Sequence, residues 1–560
     1  MRLLLAALFV VSAIAVKTPP EEDFYYAAVV EYMPVKGADA EETLKLNVNR
    51  YVEIISEAAK TADIVVFPEG GLNNGDLTLF LEIPYEKNNA VSLESVATHD
   101  ALRNLSRAAK DYGIYVAVNI HEEETTKNGS LKYNTNVVFN RNGSVIARYR
   151  KYNLFSETIL NITSEPEHIY FDSDFGVRFG TFTCFDILFK EPGLTLVQKY
   201  NVTDMIISVH WFSELPFLTA VQEQAAWSYA SNANLLASNV NDVTRGTTGS
   251  GIYAGNRGPV IVLQSLQSGS RLLQAKLYKE GRQGVSNGTI IDLHPMPIGT
   301  EDFRLKRQYL EDFVTEILIP DSPLIKIPED GDEGKHSFIQ ETVIEQELCQ
   351  SEFCCHFHVN MTVTYKTDDF PIKEDRSYHL SDSFYHYRYR LAVFNGVRTF
   401  DGFASGGNQI CGIIPCLNET FASCGLKTGY IDPLVIDTLV YGPLYVYDTV
   451  FNDVTITTST LAPDSFTSPQ FMESSNTENQ FGSVANISNI DFTVKDSFSK
   501  VRFSSSKLVS GAIFNRVFSR DGSPPGVTPS SGYSNLTPSL LICIIVLLLP
   551  KLFHILPVYR

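Results

Sequence analysis

An apolar, β-rich run of the chain ends in a turn at Gly180-Thr-Phe-Thr-Cys184-Phe-Asp186-Ile-Leu188. Cys184 is the only cysteine between residues 16 and 348. A lone cysteine has two ordinary interpretations, because a free thiol serves either as a small buried apolar side chain or as a nucleophile. The polar residues that follow two earlier strands favour the nucleophile. Cys184 is therefore the first candidate for chemistry in this sequence.

Strands and helices alternate on both sides of this turn, from about residue 24 to residue 300. Short β-branched or aromatic runs predict strands, and apolar residues at three- and four-residue spacing predict helices. The alternation indicates an α/β domain whose sheet faces are covered by helices. The strands are predicted at 24–33, 63–67, 114–120, 136–140, 144–149, 177–183, 205–209 and 235–240, and the helices at 41–62, 99–112, 193–200 and 218–234.

Three chemically complementary side chains stand where predicted strands end. Glu69 follows the strand at 63–67, Lys151 follows a hairpin, and Cys184 follows the strand at 177–183. In α/β domains catalytic groups gather at strand ends, because a rigid sheet holds the loops there. Attack on an amide carbonyl needs a nucleophile, a base for its proton and a positive group where the oxyanion develops. Taken singly, Glu69 is also compatible with a helix-capping carboxylate, and Lys151 with a solvated charge.

Several aromatic residues near these strand ends are candidates for a pocket. His121 and His210 each follow a predicted strand, and each is compatible with a pocket residue or with a structural histidine. Trp211 and Phe212 fit an acyl pocket or core packing equally well. Neither histidine indicates a Cys-His pair, so the thiol would depend on a carboxylate as its base.

Three motifs of the chain resemble those of the carbon–nitrogen hydrolase (nitrilase) superfamily. More narrowly, the chain is similar to the vanin/biotinidase branch, and we assign residues 16–319 to the hydrolase domain. The resemblance implies a four-layer α-β-β-α sandwich with a Glu-Lys-Cys triad. The motifs are Phe67-Pro-Glu69-Gly-Gly-Leu72, Arg148-Tyr-Arg-Lys151-Tyr-Asn-Leu-Phe155 and Gly180-Thr-Phe-Thr-Cys184-Phe-Asp186-Ile-Leu-Phe189, and the segment Val209-His-Trp-Phe-Ser-Glu-Leu-Pro-Phe-Leu-Thr-Ala220 also resembles that branch.

The resemblance also implies a role for each site residue. Glu69 would be the general base, first for the thiol proton and later for water. Lys151 would hold the oxyanion and assist proton transfer, and Cys184 would attack to give a thioester acyl-enzyme. The backbone N–H of Phe185 would complete the oxyanion hole. Glu157 is a candidate for the second glutamate that many members of the superfamily carry near the site.

The substrate class also comes from the resemblance. Vanins cleave pantetheine to pantothenate and cysteamine, and biotinidase cleaves biotinyl amides such as biocytin. The chain is therefore expected to hydrolyse a linear amide of a small molecule, not a peptide bond. Two alternatives stay open, a hydrolase of biotinyl amides and a non-catalytic cell-surface binding protein that keeps the fold. Retention of all three triad residues favours an enzyme.

A second domain follows a change in composition at residues 320–336, which are dense in Pro, Asp, Glu and Gly. At 560 residues the chain is too long for one ordinary core. Residues 337–515 alternate like strands and hold six of the eight cysteines, which predicts a smaller β-rich domain with disulfides of unknown pairing. The Ser/Thr/Asn-rich stretch at 456–489 is predicted to be an extended insert. The cysteines are Cys349, Cys354, Cys355, Cys411, Cys416 and Cys424.

Two classes of ligand are not indicated by the sequence. The net charge of −19 and the lack of a Lys/Arg cluster argue against nucleic acid. The cluster Cys354-Cys355-His356-Phe-His358 fits no standard zinc spacing, and a secreted protein favours disulfides over thiolate ligands. We therefore expect neither a metal nor a cofactor.

Both ends of the chain resemble targeting signals. Residues 1–15 predict a signal peptide, because an apolar run follows Arg2 and small residues follow that run. A polar stalk at 516–537 and an apolar tail at 538–560 form the pattern of a GPI-anchor signal, with a single-pass helix as the alternative. The candidate attachment residues are Ser530, Ser531 and Gly532.

The sequence also predicts a glycosylated protein on the extracellular face of the cell membrane, anchored there or shed from it. Ten Asn-X-Ser/Thr triplets suit a surface exposed to the secretory pathway. The oligomeric state is left open. The triplets begin at Asn104, Asn128, Asn142, Asn161, Asn201, Asn287, Asn360, Asn418, Asn486 and Asn535.

Overall fold

The computed structural model describes residues 18–295, 303–327, 337–366, 387–427, 445–475, 480–484, 489–495 and 497–528. Within these ranges no helix is long and apolar enough to cross a membrane. Several predicted features lie outside the described residues. They are the signal peptide, the apolar tail, the anchor candidates Ser530, Ser531 and Gly532, and the triplets at Asn486 and Asn535.

The first domain is built from four α-helices and fifteen strands in the described residues. The helices are α1 (Ala40–Ala58), α2 (Asp100–Tyr112), α3 (Gly193–Tyr200) and α4 (Ala220–Ser231). The strands are β1 (Phe24–Glu31), β2 (Ile64–Val66), β3 (Tyr115–Thr126), β4 (Gly129–Phe139), β5 (Val145–Arg150), β6 (Tyr170–Asp172), β7 (Arg178–Thr183), β8 (Asp204–Val209), β9 (Glu214–Leu215), β10 (Asn234–Asn239), β11 (Ser250–Ala254), β12 (Pro259–Leu263), β13 (Gly269–Tyr278), β14 (Asn287–Pro295) and β15 (Lys306–Arg307).

Most of these strands form two sheets that pack face to face. One sheet has the order β14-β13-β1-β2-β3-β4-β5, and the other has the order β12-β11-β10-β8-β7-β6. The side chains of β1 show how the layers are held, since successive residues of a strand point to opposite faces. Ala27 and Val29 join the core between the sheets, whereas Ala28 and Val30 pack beneath α1 and α2. Helices α3 and α4 add apolar residues to the core on the side of the second sheet. The predicted four-layer α-β-β-α sandwich is therefore confirmed.

The second domain is a sandwich of two further sheets. In the described residues their orders are β16-β20-β21-β27-β23-β24, with β28 paired to β20, and β17-β18-β19-β22-β26-β25. These strands are β16 (Val314–Ile317), β17 (Ile325–Ile327), β18 (Ser337–Gln350), β19 (Phe353–Lys366), β20 (Arg388–Phe400), β21 (Ala404–Cys416), β22 (Tyr445–Thr458), β23 (Ser465–Ser474), β24 (Gly482–Val484), β25 (Ile490–Lys495), β26 (Phe498–Ser505), β27 (Leu508–Val517) and β28 (Gly526–Val527).

Strand β20 shows how the two domains are joined. Leu391 and Val393 point into the core between the two sheets of the second domain. The alternate residues Ala392 and Phe394 belong to the core of the first domain. The sheet that contains β20 is therefore buried on both faces, and the two domains share a continuous apolar interior.

Three disulfides hold the second domain, as the cysteine count predicted. Cys355–Cys411 links β19 to β21 and so joins the two sheets of the sandwich. Cys349–Cys354 closes the turn between β18 and β19. Cys416–Cys424 closes the loop that follows β21.

Two segments that the sequence analysis placed outside the second domain form strands of one of its sheets. Residues 314–317, placed in the first domain by sequence, form β16 and pair with β20. Residues 526 and 527, placed in the stalk, form β28 and also pair with β20. The prediction of an extended insert at 456–489 is wrong, because the described part of that stretch includes β23 and β24 and the end of β22. Five successive residues of β23, from Ser468 to Met472, are buried, and the Ser/Thr/Asn-rich composition of the stretch did not indicate this burial.

A buried ion pair joins the residue before β2 to the turn between β4 and β5. The Arg141 guanidinium lies 2.6 Å from a carboxylate oxygen of Asp63, and the two side chains are 4% and 0% exposed. Removing one partner of such a pair leaves a buried charge without compensation. We expect Arg141→Met to lower the free energy of unfolding by about 3–5 kcal/mol.

Urea unfolding followed by tryptophan fluorescence measures this effect, because Trp211 and Trp227 both lie in the first domain. The matched control is Arg178→Met, which breaks an exposed pair with Asp172. That change should cost no more than about 1 kcal/mol. Equal effects of the two substitutions would contradict the prediction.

Candidate active site

The three predicted triad residues lie together where strands of the two sheets end. Glu69 follows β2, Lys151 follows β5, and Cys184 follows β7. The Nζ atom of Lys151 lies 2.7 Å from Oε1 of Glu69. The Cys184 thiol lies beside this pair, close enough for both charges to shift its pKa. The structure therefore brings all three groups into one site.

Glu157 belongs to the same cluster. Its Oε2 atom accepts a hydrogen bond from Nζ of Lys151 at 2.9 Å and another from the backbone N–H of Phe155 at 2.8 Å. The lysine is therefore held between two carboxylates, those of Glu69 and Glu157. The side chain of Glu157 is 15% exposed against 2% for Lys151, so Glu157 lies nearer to the solvent.

Asn134 is a site residue that the sequence did not reveal. Its Nδ2 atom donates to Oε1 of Glu69 at 2.7 Å and to the carboxylate of Glu157. Its own oxygen accepts from Nδ2 of Asn119 at 2.6 Å, and Asn119 in turn accepts from the backbone N–H of Gly70 at 3.0 Å. These bonds fix the orientation of both carboxylates. Asn134 lies just before the predicted strand at 136–140, next to the polar residues Thr135 and Asn136, so no local signal distinguished it.

The turn that carries Cys184 has an unusual backbone. Residues Cys184–Leu188 form a short 3-10 helix, and Cys184 has a φ of 45°. This left-handed conformation is strained for a residue other than glycine and persists only where the surroundings hold it. Such strain is common at functional sites.

Asp186 holds this turn from inside. One carboxylate oxygen accepts from the backbone N–H of Thr183 at 3.0 Å and from the hydroxyl of Tyr149 at 2.7 Å. The other accepts from the backbone N–H of Asn153 at 2.8 Å. Burial raises the pKa of Asp186 to about 6. Because Tyr149 and Asn153 flank Lys151 in the chain, Asp186 ties the cysteine turn to the lysine loop.

The electrostatics of the site define its resting protonation. Burial raises the pKa of the Cys184 thiol well above its usual value, and the negative charge of Glu69 raises it further. Burial alone would raise the pKa of Glu69, but the Lys151 ammonium lowers it overall. Burial alone would lower the pKa of Lys151, but the carboxylates of Glu157 and Glu69 raise it well above its usual value. The resting site therefore contains a thiol, a carboxylate and an ammonium group.

The three aromatic candidates that follow β8 occupy different positions. The backbone N–H of His210 donates to Oε2 of Glu69 at 3.0 Å, and its ring stacks on Phe212 with centroids 5.3 Å apart. Trp211 is packed in the core, where its indole N–H donates to the carbonyl of Leu218 at 2.9 Å. His210 therefore contacts Glu69 through its backbone, Phe212 lies against the His210 ring, and Trp211 is packed in the interior.

The ring of Phe185 packs into an aromatic group next to the cysteine turn, with centroids 5.1 Å from Phe155 and 5.1 Å from Phe189. Its backbone N–H belongs to the same 3-10 turn as Cys184.

Among the described residues, His356 and His358 form no metal-binding group with the neighbouring cysteines. His356 pairs with Glu347, and His358 pairs with Glu345, across two adjacent strands. In the described residues, Glu347, Cys349 and Cys354 form the one group whose ligand atoms lie close enough for a metal. The two sulfur atoms of that group are joined in a disulfide and are not available as thiolates.

Two sequence families account for most of the chain. Residues 27–210 match the carbon-nitrogen hydrolase family, and residues 328–521 match the vanin C-terminal domain. The first match places the chain among hydrolases that act on carbon–nitrogen amide bonds, and it includes Glu69, Lys151 and Cys184.

Curated relatives extend across both domains. Vanin-like protein 3 of Drosophila melanogaster is 33% identical over 423 residues, which cover 72% of this chain and 74% of the relative. The pantetheinase of Homo sapiens is 28% identical over 428 residues, which cover 72% of this chain and 75% of the relative. The chain belongs to the vanin-like family.

The solved structures that match the chain in part include an amidase and a member of branch 10 of the nitrilase superfamily. An amidase from Nesterenkonia sp. AN1 is 16% identical, with a TM-score of 0.34 over 44% of this chain and 92% of its own. Nit3 of Saccharomyces cerevisiae is 18% identical, with a TM-score of 0.35 over 45% of this chain and 90% of its own.

His121 should make the stability of the first domain depend on pH. Its Nδ1 atom lies 3.1 Å from the carbonyl of Asp76, and burial lowers its pKa to about 4 against an ordinary value of about 6.5. Between those values the unfolded chain binds a proton that the folded chain does not. The free energy of unfolding should therefore fall as the pH falls from about 6.5 to about 4, by up to about 3 kcal/mol from this residue.

The variant His121→Asn keeps a donor for the Asp76 carbonyl and removes the titration. Urea unfolding at several pH values should show a shallower dependence for this variant than for the wild type. The control is His356→Asn, which changes an exposed histidine of the second domain. If the free energy of unfolding of His121→Asn depended on pH as steeply as that of the wild type, His121 would not be responsible for the dependence.

Proposed function

We propose that this protein is an extracellular amidohydrolase that cleaves a linear amide such as pantetheine through a Glu69-Lys151-Cys184 triad. The observation that carries the proposal is the buried contact between Lys151 and Glu69 beside the Cys184 thiol. A thiol, a base and a fixed positive charge are the groups that attack on an amide carbonyl requires. Membership of the vanin-like family, whose relatives include pantetheinases, supports the choice of substrate.

Acylation begins with the thiol proton. Glu69 takes this proton while the sulfur of Cys184 attacks the carbonyl carbon of the amide. The developing oxyanion is stabilised by the Lys151 ammonium and by the backbone N–H of Phe185. The C–N bond then breaks, and Glu69 returns the proton to the nitrogen of the leaving amine. The product of this half-reaction is a thioester between the acyl group and Cys184.

Hydrolysis of the thioester reuses the same groups. Glu69 removes a proton from water as the water oxygen attacks the thioester carbon. The C–S bond breaks, the acid is released, and the proton returns to the sulfur. Glu157 is not needed as a base in either step. Its carboxylate keeps Lys151 protonated and in place through a second ion pair.

A second amide class and a non-catalytic function are the alternatives to pantetheine hydrolysis. A biotinyl amide such as biocytin has the same reacting group and differs only in the parts that contact the pocket walls. A non-catalytic binding protein has no need for a thiol, a carboxylate and an ammonium in contact. The triad geometry therefore favours an enzyme over a binding protein.

The variant Cys184→Ala tests the catalytic proposal. We expect the wild-type ectodomain to release cysteamine from pantetheine and Cys184→Ala to release none, because no other group of the site can form the thioester. Cys184 is the one free cysteine in the described part of the chain, so the substitution removes a single reactive thiol. A panel of pantetheine, biocytin and a simple aliphatic amide identifies the preferred substrate.

A folding control and a second active-site variant make the result specific. Cys184→Ala should be secreted normally and should unfold at the wild-type urea concentration, since alanine fits a site made for a small side chain. The variant Lys151→Ala should lower the rate by at least ~10²-fold, the effect of losing an oxyanion donor. Turnover of pantetheine by Cys184→Ala at the wild-type rate would refute the triad.

We also propose that the protein is held on the outer face of the cell membrane by a GPI anchor. The polar residues that follow β28 and the apolar tail at residues 538–560 support this localisation, with the attachment near Ser530, Ser531 or Gly532. The glycosylation triplets agree with exposure to the secretory pathway, because none of the eight that the structure describes is buried. Lipid attachment would leave the whole catalytic unit outside the cell.

Treatment of expressing cells with phosphatidylinositol-specific phospholipase C tests the anchor. We expect the enzyme to release the protein into the medium, because it cleaves the lipid and not the polypeptide. A form that ends at residue 528 should appear in the medium without treatment. Retention of the full-length protein on treated cells would favour the single-pass helix.

A further inference from the structure

The turn that carries Cys184 is anchored from the second domain by Arg516. This arginine lies in β27 and is 3% exposed. Its Nε atom donates to the carbonyl of Leu188, the last residue of the cysteine turn, at 2.8 Å. Its other nitrogens donate to the carbonyl of Gly407 and, at 2.8 Å, to the carboxylate of Asp521. The guanidinium is therefore fixed within its own domain and presents one N–H to the first domain.

An aromatic cluster surrounds this contact, and we call it the interdomain aromatic cluster. It consists of Phe155, Phe185 and Phe189 from the first domain and Phe400 and Phe403 from the second. The Phe185 ring lies 5.3 Å from Phe400, and the Phe155 ring lies 5.2 Å from Phe403, measured between centroids. The Arg516 guanidinium lies 5.8 Å from the Phe400 ring and 5.7 Å from the Phe189 ring.

Two phenylalanines of the cluster, Phe185 and Phe155, are joined through the backbone to groups of the proposed mechanism. Phe185 follows Cys184 directly, and its N–H is the oxyanion donor in the proposed mechanism. The N–H of Phe155 donates to the carboxylate of Glu157, which also accepts from Lys151. A shift of either ring would therefore move a group that contacts the reacting carbonyl or holds the lysine.

The cysteine turn is thus fixed at both ends. Asp186 binds the N–H of Thr183 at its beginning, and Arg516 binds the carbonyl of Leu188 at its end. A hydrogen bond from a guanidinium to a buried carbonyl is stronger than a neutral one and is directional. The strained backbone of Cys184 needs such fixed surroundings to persist.

We propose that Arg516 and Phe400 are positioning residues of the active site, which act through the Cys184–Leu188 turn. The second domain thereby completes the catalytic site of the first. This inference rests on the proposed function, because it concerns the rate of the same reaction. It assigns to Arg516 no contact with the substrate.

The variants Arg516→Met and Arg516→Lys in the full chain test the proposal. We expect Arg516→Met to lower kcat for pantetheine on the order of 10- to 100-fold, the effect of a small misplacement of reacting groups. KM should stay unchanged, because the substrate contacts are intact. Arg516→Lys keeps one donor for the Leu188 carbonyl and should restore part of the lost kcat.

A second readout does not depend on the substrate. The rate of alkylation of Cys184 by iodoacetamide, followed against pH, reports how the thiol and Glu69 are placed relative to each other. Arg516→Met should change this pH profile, whereas a change in overall stability alone should leave it in place. An unchanged profile together with wild-type kcat would overturn the proposal.

The matched control is Gln470→Met, which removes another buried contact between the domains. Gln470 donates to the carboxylate of Glu223 on α4 and makes no hydrogen bond with the cysteine turn. We expect this variant to lose stability and to keep its kcat. An equal loss of kcat in Gln470→Met and Arg516→Met would show a general effect of the interface and would refute a positioning role.

The variant Phe400→Leu tests the positioning role independently if Arg516→Met does not fold. Leucine keeps most of the apolar volume and removes the ring contact with Phe185, so kcat should fall while KM stays the same. Wild-type kcat in Phe400→Leu would overturn the proposal. Absence of amide hydrolysis by the wild-type protein would instead refute the proposed function, so the two failures are distinguishable.

Discussion

The arrangement of the candidate active site depends on one buried ammonium group, that of Lys151. A lysine that is 2% exposed has lost its hydration, and close carboxylates are what keep it charged there. Glu69 and Glu157 provide them from different loops, so the end of β2 and the loop after β5 have to meet. Asn134 then holds both carboxylates at a fixed separation. The geometry of the site is therefore a consequence of satisfying one charge.

The sequence could predict the parts of this site that have local patterns. Strand periodicity followed by a polar residue located Glu69, Lys151 and Cys184, and the topology of an α/β sheet explains why strand ends converge. Asn134 and Asp186 could not be assigned in the same way. Asp186 is a polar residue in an apolar segment, which indicates that a partner exists but does not identify it, whereas Asn134 stands among other polar residues that give no such indication. Their partners become evident only when the two sheets are packed face to face.

The second domain illustrates the same limit over a longer distance. Alternation and cysteine content predicted its strands and its disulfides, but they did not predict which sheet meets the first domain. The residues of β20 are apolar on both faces, and only packing shows that one face belongs to each core. Nothing near Arg516 in the sequence indicates that its partner is the carbonyl of Leu188. A contact of this kind can be recognised only from the assembled fold.

The burial of Cys184 also explains how a free thiol, the proposed nucleophile, coexists with disulfides in one chain. The thiolate is the form that is readily oxidised, and its population depends on the pKa of the thiol. Cys184 is only 5% exposed. Burial and the charge of Glu69 raise the pKa of its thiol, so the resting sulfur is protonated. In the proposed mechanism, the thiol loses its proton to Glu69 only when a substrate carbonyl is in place and the C–S bond forms. In the proposed mechanism, the same low-dielectric surroundings that disfavour the thiolate in the resting state would strengthen the interaction of Lys151 with a developing oxyanion.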